Sequence, residues 1–507
     1  MTDEQPTPTG ATTETPAYQA LSAGESGVEQ PDLRRSSETG PSGRGRDVLV
    51  ASGRVTLALV AAVAAASLAA GVLLVPAPTT APAVPALTVA PERADQTVVC
   101  AGGAIGLTRG EDPQPTIVAN AARVAFGPGL VETTLPESDA AGGGAGVVTL
   151  PREAPGDALA AAERVRASTP DLSGLAAAEC LTPARTAWLV GGSTTVGRTT
   201  WIVLSNADVV DAVVDLRLWG DNGPIEAVGS TGIIVGAGSQ RVLPLSGFAV
   251  DEPSPVVQVT SSGGSVAATL QTSIVRGLDP DGLSVVTPVA APDVRHVIPA
   301  LPVIGLEAVL ERFSADGGAD ALPALRMLAP GDAPVEVTVT LVPPAGVVGL
   351  TTQTTLDPGV VVDLPLSDIA DGEYGVVIEA SAPIVAAGRT TVTGASGSDV
   401  EWFAPAAPLA AGEEALAAVA PLGADPGLGA VLHLLAPGGA DVEIDGLAVT
   451  VPPGSVVTVP VASDAGLRIR PSGTVHASIT YRGDGLLAGS RVAPRPAAAG
   501  SVTVLPG

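Results

Sequence analysis

Three histidines, His296, His433 and His476, and two cysteines, Cys100 and Cys180, are the scarce reactive side chains of a 507-residue chain that has 52 acids, 25 arginines and no lysine. A nucleophilic hydrolase needs a serine on a tight glycine turn and a neighbouring base to take its proton. No Gly-x-Ser-x-Gly occurs, and the absence of lysine removes a Ser-Lys dyad. Each histidine stands among aliphatic residues: His296 before Val297-Ile298, His433 between Leu432 and Leu434, His476 between Val475 and Ala477. That setting reads as packing within strands, so no catalytic residue is assigned. Zinc would need about four ligands gathered from scattered donors, and neither a metal nor a cofactor is expected.

Carboxylates offer a different chemistry, because a glycosidase needs only two acids held across a sugar and their separation in sequence is free. This is the alternative to a non-catalytic reading. Asp279-Pro280-Asp281-Gly282 begins like a calcium loop but lacks the later ligands, which leaves a β-turn. Glu413-Glu414 reads as a solvated loop or helix start. Among the four tryptophans, Trp188 and Trp402 look structural. Trp219 lies just before the turn Asp221-Asn222-Gly223 and on the face of Asp215 and Arg217, so it is the expected surface contact.

Such residues must be positioned by a repeat. Gly238 to Pro244, Gly359 to Pro365 and Gly454 to Pro460 share one spacing, and each proline sits between aliphatic residues, as in Leu243-Pro244-Leu245 and Val459-Pro460-Val461. Around these units the apolar residues alternate with period two: Val335, Val337, Val339 and Leu341 on one face, Glu336, Thr338 and Thr340 on the other. Short strands between Gly, Pro and Asp turns, in units of roughly 100 residues, predict tandem β-sandwiches of immunoglobulin-like or fibronectin-III-like type. Proline lacks a ladder donor, so each repeated proline should lie on an edge strand or a bulge. The modules are placed at 183–292, 293–399 and 400–507, the last including a C-terminal tail. Residues 94–182 look like a less regular α+β region, with strands near Val98, Ile117 to Phe126 and Val147 to Leu150 and a capped helix over 158–167. It should pack against the first module.

The segment Val55 to Val75 carries no charge over 21 residues, enough at about 1.5 Å per residue for one bilayer crossing. Arg34, Arg35, Arg44, Arg46 and Arg54 precede it, and prolines at 76, 78, 82 and 85 follow. The reading is a single-pass membrane protein with a cytoplasmic N-terminus. Residues 1–54 form a disordered tail, 76–93 a Pro-rich linker, and the C-terminal ectodomain lies outside. A cleaved signal peptide ending near Ala81-Pro82-Ala83 is the competing reading. On this topology Cys100 and Cys180 face an oxidising compartment, and a disulfide between them is predicted. Beyond Arg54 there are 44 acids against 20 arginines, a balance that repels nucleic acid.

The Arg-flanked anchor, the proline linker, the Cys100 and Cys180 pair and the recurring Leu-Ala-Pro-Gly and Gly-to-Pro units resemble an uncharacterised family of actinobacterial membrane-anchored envelope proteins. The resemblance covers about 95–493. It implies a location on the export side of the membrane, in a cell-wall context, and no catalytic residues. The expected function is therefore a non-catalytic, membrane-tethered scaffold or binding array, with a cell-wall glycan or an envelope protein as candidate partners.

Overall fold

Period-two alternation becomes paired strand where the sequence shows it best. In the strand Val335–Val342 the valines and Leu341 are buried while Glu336 is exposed, and in Ala212–Gly220 the residues Val214, Leu216 and Leu218 are buried against exposed Asp215 and Arg217. The computed structural model describes residues 94–495, apart from 157, 290, 314–317, 345–348, 367–368, 396, 424 and 426, together with 60, 62–64, 87–89 and 502–504. Residues 87–504 form one compact unit. Of the expected span 55–75 only Val60 and residues 62–64 are described, and these are helical. The tail 1–54 and most of the linker lie outside the described residues. No helix among the described residues is long and apolar enough to cross a membrane.

The fold is mainly β, and three modules share one topology. In the third, the first strand Ala415–Val419, the sixth Ala465–Pro471, the third Ala440–Ile444 and the fourth Leu447–Val451 make one sheet. The fifth Val456–Val461, the second Gly429–Leu435, the seventh His476–Gly483 and the eighth Leu486–Arg491 make the other. The first module repeats this order with strands from Thr186–Val190 to Asp279–Val286, and the second with strands from Asp293–Val303 to Gly397–Phe403. In the second module the sixth and seventh strands are one continuous segment, Gly372–Gly394, that pairs in both sheets. An immunoglobulin constant domain sets its first strand beside its second. Here the first lies beside the sixth, and the seventh takes the place beside the second.

Each repeated glycine opens the fifth strand with a positive φ, 68° at Gly238, 72° at Gly359 and 64° at Gly454, a backbone region that costs glycine nothing. Pro365 and Pro460 then lie on edge strands. Pro244 lies beyond the two residues, Ser239 and Gln240, at which its strand meets Glu137–Ser138. Each missing donor therefore faces away from the ladder.

Two boundaries differ from the sequence reading. The strand Gly397–Phe403 pairs with 388–394 and completes the second module, so Trp402 belongs to an eighth strand while Trp188 belongs to a first. Residues 158–167 hold no helix: Ala160–Ser168 is a strand paired on both sides, with Ser173–Glu179 and with Ala121–Phe126. Alanine favours helix in isolation, but a central strand buried on both faces shows no period of two, and tertiary pairing overrides propensity. The described N-terminal region is thus β throughout. Within 94–495 the one α-helix among the described residues is Leu306–Phe313, in the second module.

The four units close into a ring. Ser173–Glu179, the last strand of the N-terminal region, and the three eighth strands lie against one another in cyclic order around a common axis. Shared cores follow that order. Val165 and Ala176 pack with Leu283 and Val285, Val385 and Trp402 join the first module's core, Val297 and Val342 meet Leu435 and Val456, and Leu175 and Ala177 join the third module's core. The N-terminal region therefore packs on the third module as well as on the first.

Candidate functional site

Two side chains on the axis tie the units to one another. Asp399, from the second module, accepts backbone N–H groups from Leu175 at 2.7 Å, Leu283 at 3.0 Å, Leu487 at 3.3 Å and its neighbour Val400 at 3.1 Å. The donors come from the N-terminal region, the first module, the third module and its own. Arg491, from the third module, does the converse. Its Nε donates to Glu179 Oε1 at 2.7 Å, and its Nη1 donates to the carbonyls of Pro288 at 2.8 Å and Pro405 at 3.3 Å. One acid and one base thus fasten the ring at its centre.

Glycine makes this approach feasible. A Cβ on Gly174 would stand 2.5 Å from Leu283 N and 2.7 Å from Asp399 Oδ1, and one on Gly282 would stand 2.8 Å from Val400. Burial pushes the Asp399 carboxyl up to about 8 against the pull of its four N–H donors, and burial likewise raises Glu401 well above the usual carboxylate range. These two acids are the buried pair that a carboxylate mechanism would call on. They are sealed. The void beside the junction, lined by Thr287, Phe403 and Ser490 among others, measures about 10 Å³, room for one water at most.

The interface between the first and second modules holds a second charged network. Arg326, fully buried, uses all five of its N–H groups: on both oxygens of Asp363, on Ser254 Oγ and on the carbonyls of Gly192, Pro253 and Pro255. Its guanidinium lies 4.6 Å from the centre of the Trp402 ring, and that of Arg389 lies 5.3 Å from the same ring. Arg389 is only 8% exposed yet makes one hydrogen bond among the described residues, Nη2 to the Leu322 carbonyl at 3.4 Å. Its Nη1 stands 3.9 Å from Asp363, and its Nε has no partner there. Burial, reinforced by Arg326 and opposed by Asp363, pushes Arg389 down to about 10. It lines a cleft of about 640 Å³ with Ser193, Thr195, Val196, Asp251 and Ile274.

The sequence-selected residues fall as follows. Cys100 and Cys180 are joined in a disulfide, beside the bridge Val99 to Leu181 that closes the N-terminal region. Trp219 is half-buried and stacked on Trp188 with 5.3 Å between ring centres, and the backbone of Gly359 approaches it from the second module. It is thus a packing element at a module interface, not the free surface contact expected of an outward strand face. Asp281 lies in the strand Asp279–Val286, not a turn, with its carboxylate between Arg276 and Arg312. Glu414, expected to be solvated, gathers Arg468, Arg470 and Arg495.

His296 and His476 meet along one cleft, but their rings donate to the carbonyls of Ile384 at 2.7 Å and Ala406 at 2.8 Å. His433 bonds Thr480 Oγ1 at 2.9 Å, and burial holds it down near 3. No group of His, Cys, Asp and Glu that could hold a metal ion occurs among the described residues.

Residues 137–472 match the Family of unknown function (DUF5719). The match covers more than half of the chain, and the protein belongs to that family. No curated protein matches. A crystal structure of Thermotoga maritima 1070 is similar over 22% of this chain and 93% of that chain, at 10% identity and a TM-score of 0.18.

Proposed function

We propose that this member of the DUF5719 family is a non-catalytic binding and scaffold protein of the cell envelope, carried on a membrane anchor at 55–75. The observation that carries this reading is where the ionisable side chains are used. Asp399, Glu179 and Arg491 fasten the units to one another, and each of the three imidazoles makes a hydrogen bond inside the fold through one ring nitrogen. A disulfide at Cys100 and Cys180 fits an oxidising compartment, which supports an ectodomain outside the membrane. A ring of β-sandwiches suits a presenting surface. The alternative, a hydrolase with paired carboxylates, needs both acids free in a cleft that admits a sugar; Asp399 and Glu401 are buried at the axis, and Asp320 and Asp363, which line the cleft of about 640 Å³, are held by Arg198, Arg276 and Arg326.

Immobilised protein should retain purified cell-wall polymer or one specific envelope protein, and incubation with that polymer should release no reducing ends. Retention of neither class would overturn the binding reading. Release of reducing ends that stops when a carboxylate is replaced would overturn the non-catalytic one.

A further inference from the structure

Two guanidiniums lie on one tryptophan at the interface of the first and second modules, and they are used differently. Arg326 has every N–H committed to the fold. Arg389 has one long hydrogen bond and a 3.9 Å ion pair with Asp363 among the described residues, a Nε without a hydrogen-bond partner there, and a wall position in an open cleft of about 640 Å³. A buried polar group left without partners is costly, and an arginine retained in that state in an acidic protein suits an anion that arrives from outside. The cleft is within the range of small-ligand sites, about 300–1,000 Å³.

The geometry points to this cleft as a binding site for a carboxylated sugar of the uronic acid kind, its carboxylate seated on Arg389. The assignment rests on the binding reading above and gives it a ligand class. A planar carboxylate matches the planar fork of a guanidinium. The exposed carboxylate of Asp251 lines the same space, where it can bond sugar hydroxyls, Ser193 and Thr195 form a polar rim bonded to one another, and Val196, Ile274 and Leu322 supply apolar wall for C–H faces. Asp320 and Asp363 stand in the same lining. They tolerate a single negative charge better than the two of a phosphate, which makes the carboxylate the better fit.

The test is calorimetric titration of the protein with glucuronate, glucose and inorganic phosphate. Glucuronate should bind saturably and more tightly than either of the others. Arg389→Gln should weaken it by about 10- to 100-fold, the usual loss for a charge-assisted hydrogen bond. Because Arg389 is buried, Val196→Trp is the second variant. Val196 is 90% exposed at the rim of the cleft, so a bulky ring there should block entry and leave the melting temperature unchanged.

Glucuronate that does not bind, or binds equally well to both variants, overturns the site. Glucose binding as tightly as glucuronate overturns the role of Arg389, and phosphate binding more tightly overturns the choice of carboxylate. If glucuronate fails while immobilised protein still retains cell-wall polymer, the cleft assignment falls and the binding reading stands.

Discussion

Replacing Asp399 by asparagine sets burial against hydrogen bonding at the one side chain that all four units share. Two backbone N–H groups point at each oxygen, Leu283 and Val400 at Oδ1, Leu175 and Leu487 at Oδ2. Whichever way the amide of Asp399→Asn turns, its NH2 replaces an acceptor that two buried donors use. At pH 5 the parent carboxyl is itself protonated, so one of its oxygens already carries a hydrogen, and exchanging that hydroxyl, which still accepts, for an NH2, which does not, should cost the variant roughly 1–3 kcal/mol.

The pH dependence has the opposite sense. A buried carboxyl displaced from 3.8 to about 8 keeps its proton in the folded state over a range where the unfolded chain has lost it. Unfolding then releases a proton, and stability falls as pH rises through that window, by about 6 kcal/mol in all. The asparagine carries no such penalty. Urea unfolding followed by tryptophan fluorescence at pH 5, 7 and 9 should therefore show the gap between parent and variant closing as pH rises. Glu163, raised to about 7, and His433, held near 3, titrate in both proteins and cancel in the difference. A gap that widens with pH would mean that the four donors outweigh burial and hold Asp399 ionised, which would refute the reasoning.

Arg491→Met should be costly, by about 3–5 kcal/mol, because it strands Glu179 and frees two carbonyls at the axis. The double variant Arg491→Met with Glu179→Leu should recover part of that loss in the same unfolding assay, and no recovery would deny the coupling. Reduction of Cys100 and Cys180, which close a loop of 80 residues, should lower stability by up to about 4–5 kcal/mol, read as the melting difference with and without reductant. Gly454→Ala meets no atom within 4 Å but sits at a φ of 64°. The strain alone should cost about 1–2 kcal/mol, and Gly454→Asn, which tolerates that region, should cost less in parallel melts.

What was legible in the sequence was whatever one strand and its turn encode. The Gly-to-Pro unit works because a left-handed glycine and an edge proline are both properties of the local backbone, so Gly238, Gly359 and Gly454 open equivalent fifth strands. Alternation located Val335–Val342 and Ala212–Gly220 for the same reason. The reading failed where the determinant lies across the chain. Ala160–Ser168 resembles a helix until its two partner strands are present. Trp402 resembles the start of a module because a strand of that composition suits either end. Trp219 looked exposed because nothing near it in sequence reveals Trp188 stacked against it or Gly359 arriving from another module.

The axial residues were illegible for a stronger reason. Asp399 is one of 52 acids, and it is set apart by donors at 175, 283 and 487, none of which carries its role in its side chain because the donor is backbone. The trace such a hub leaves is subtractive: glycine at 174 and 282, where any side chain would collide with the neighbouring unit. Glycine there is ambiguous in one dimension, since a turn or a bulge explains it equally well. The same logic sharpens the contrast between Arg326 and Arg389. Both occupy strands of the second module and both meet Trp402, so composition and spacing give them one meaning. They part only in how many N–H groups the fold consumes, five for Arg326 and one for Arg389 among the described residues. A side chain that serves architecture alone should have its bonding capacity filled by the architecture. The capacity left over at Arg389 is therefore the measurable difference between a residue that builds the ring and one that the ring presents.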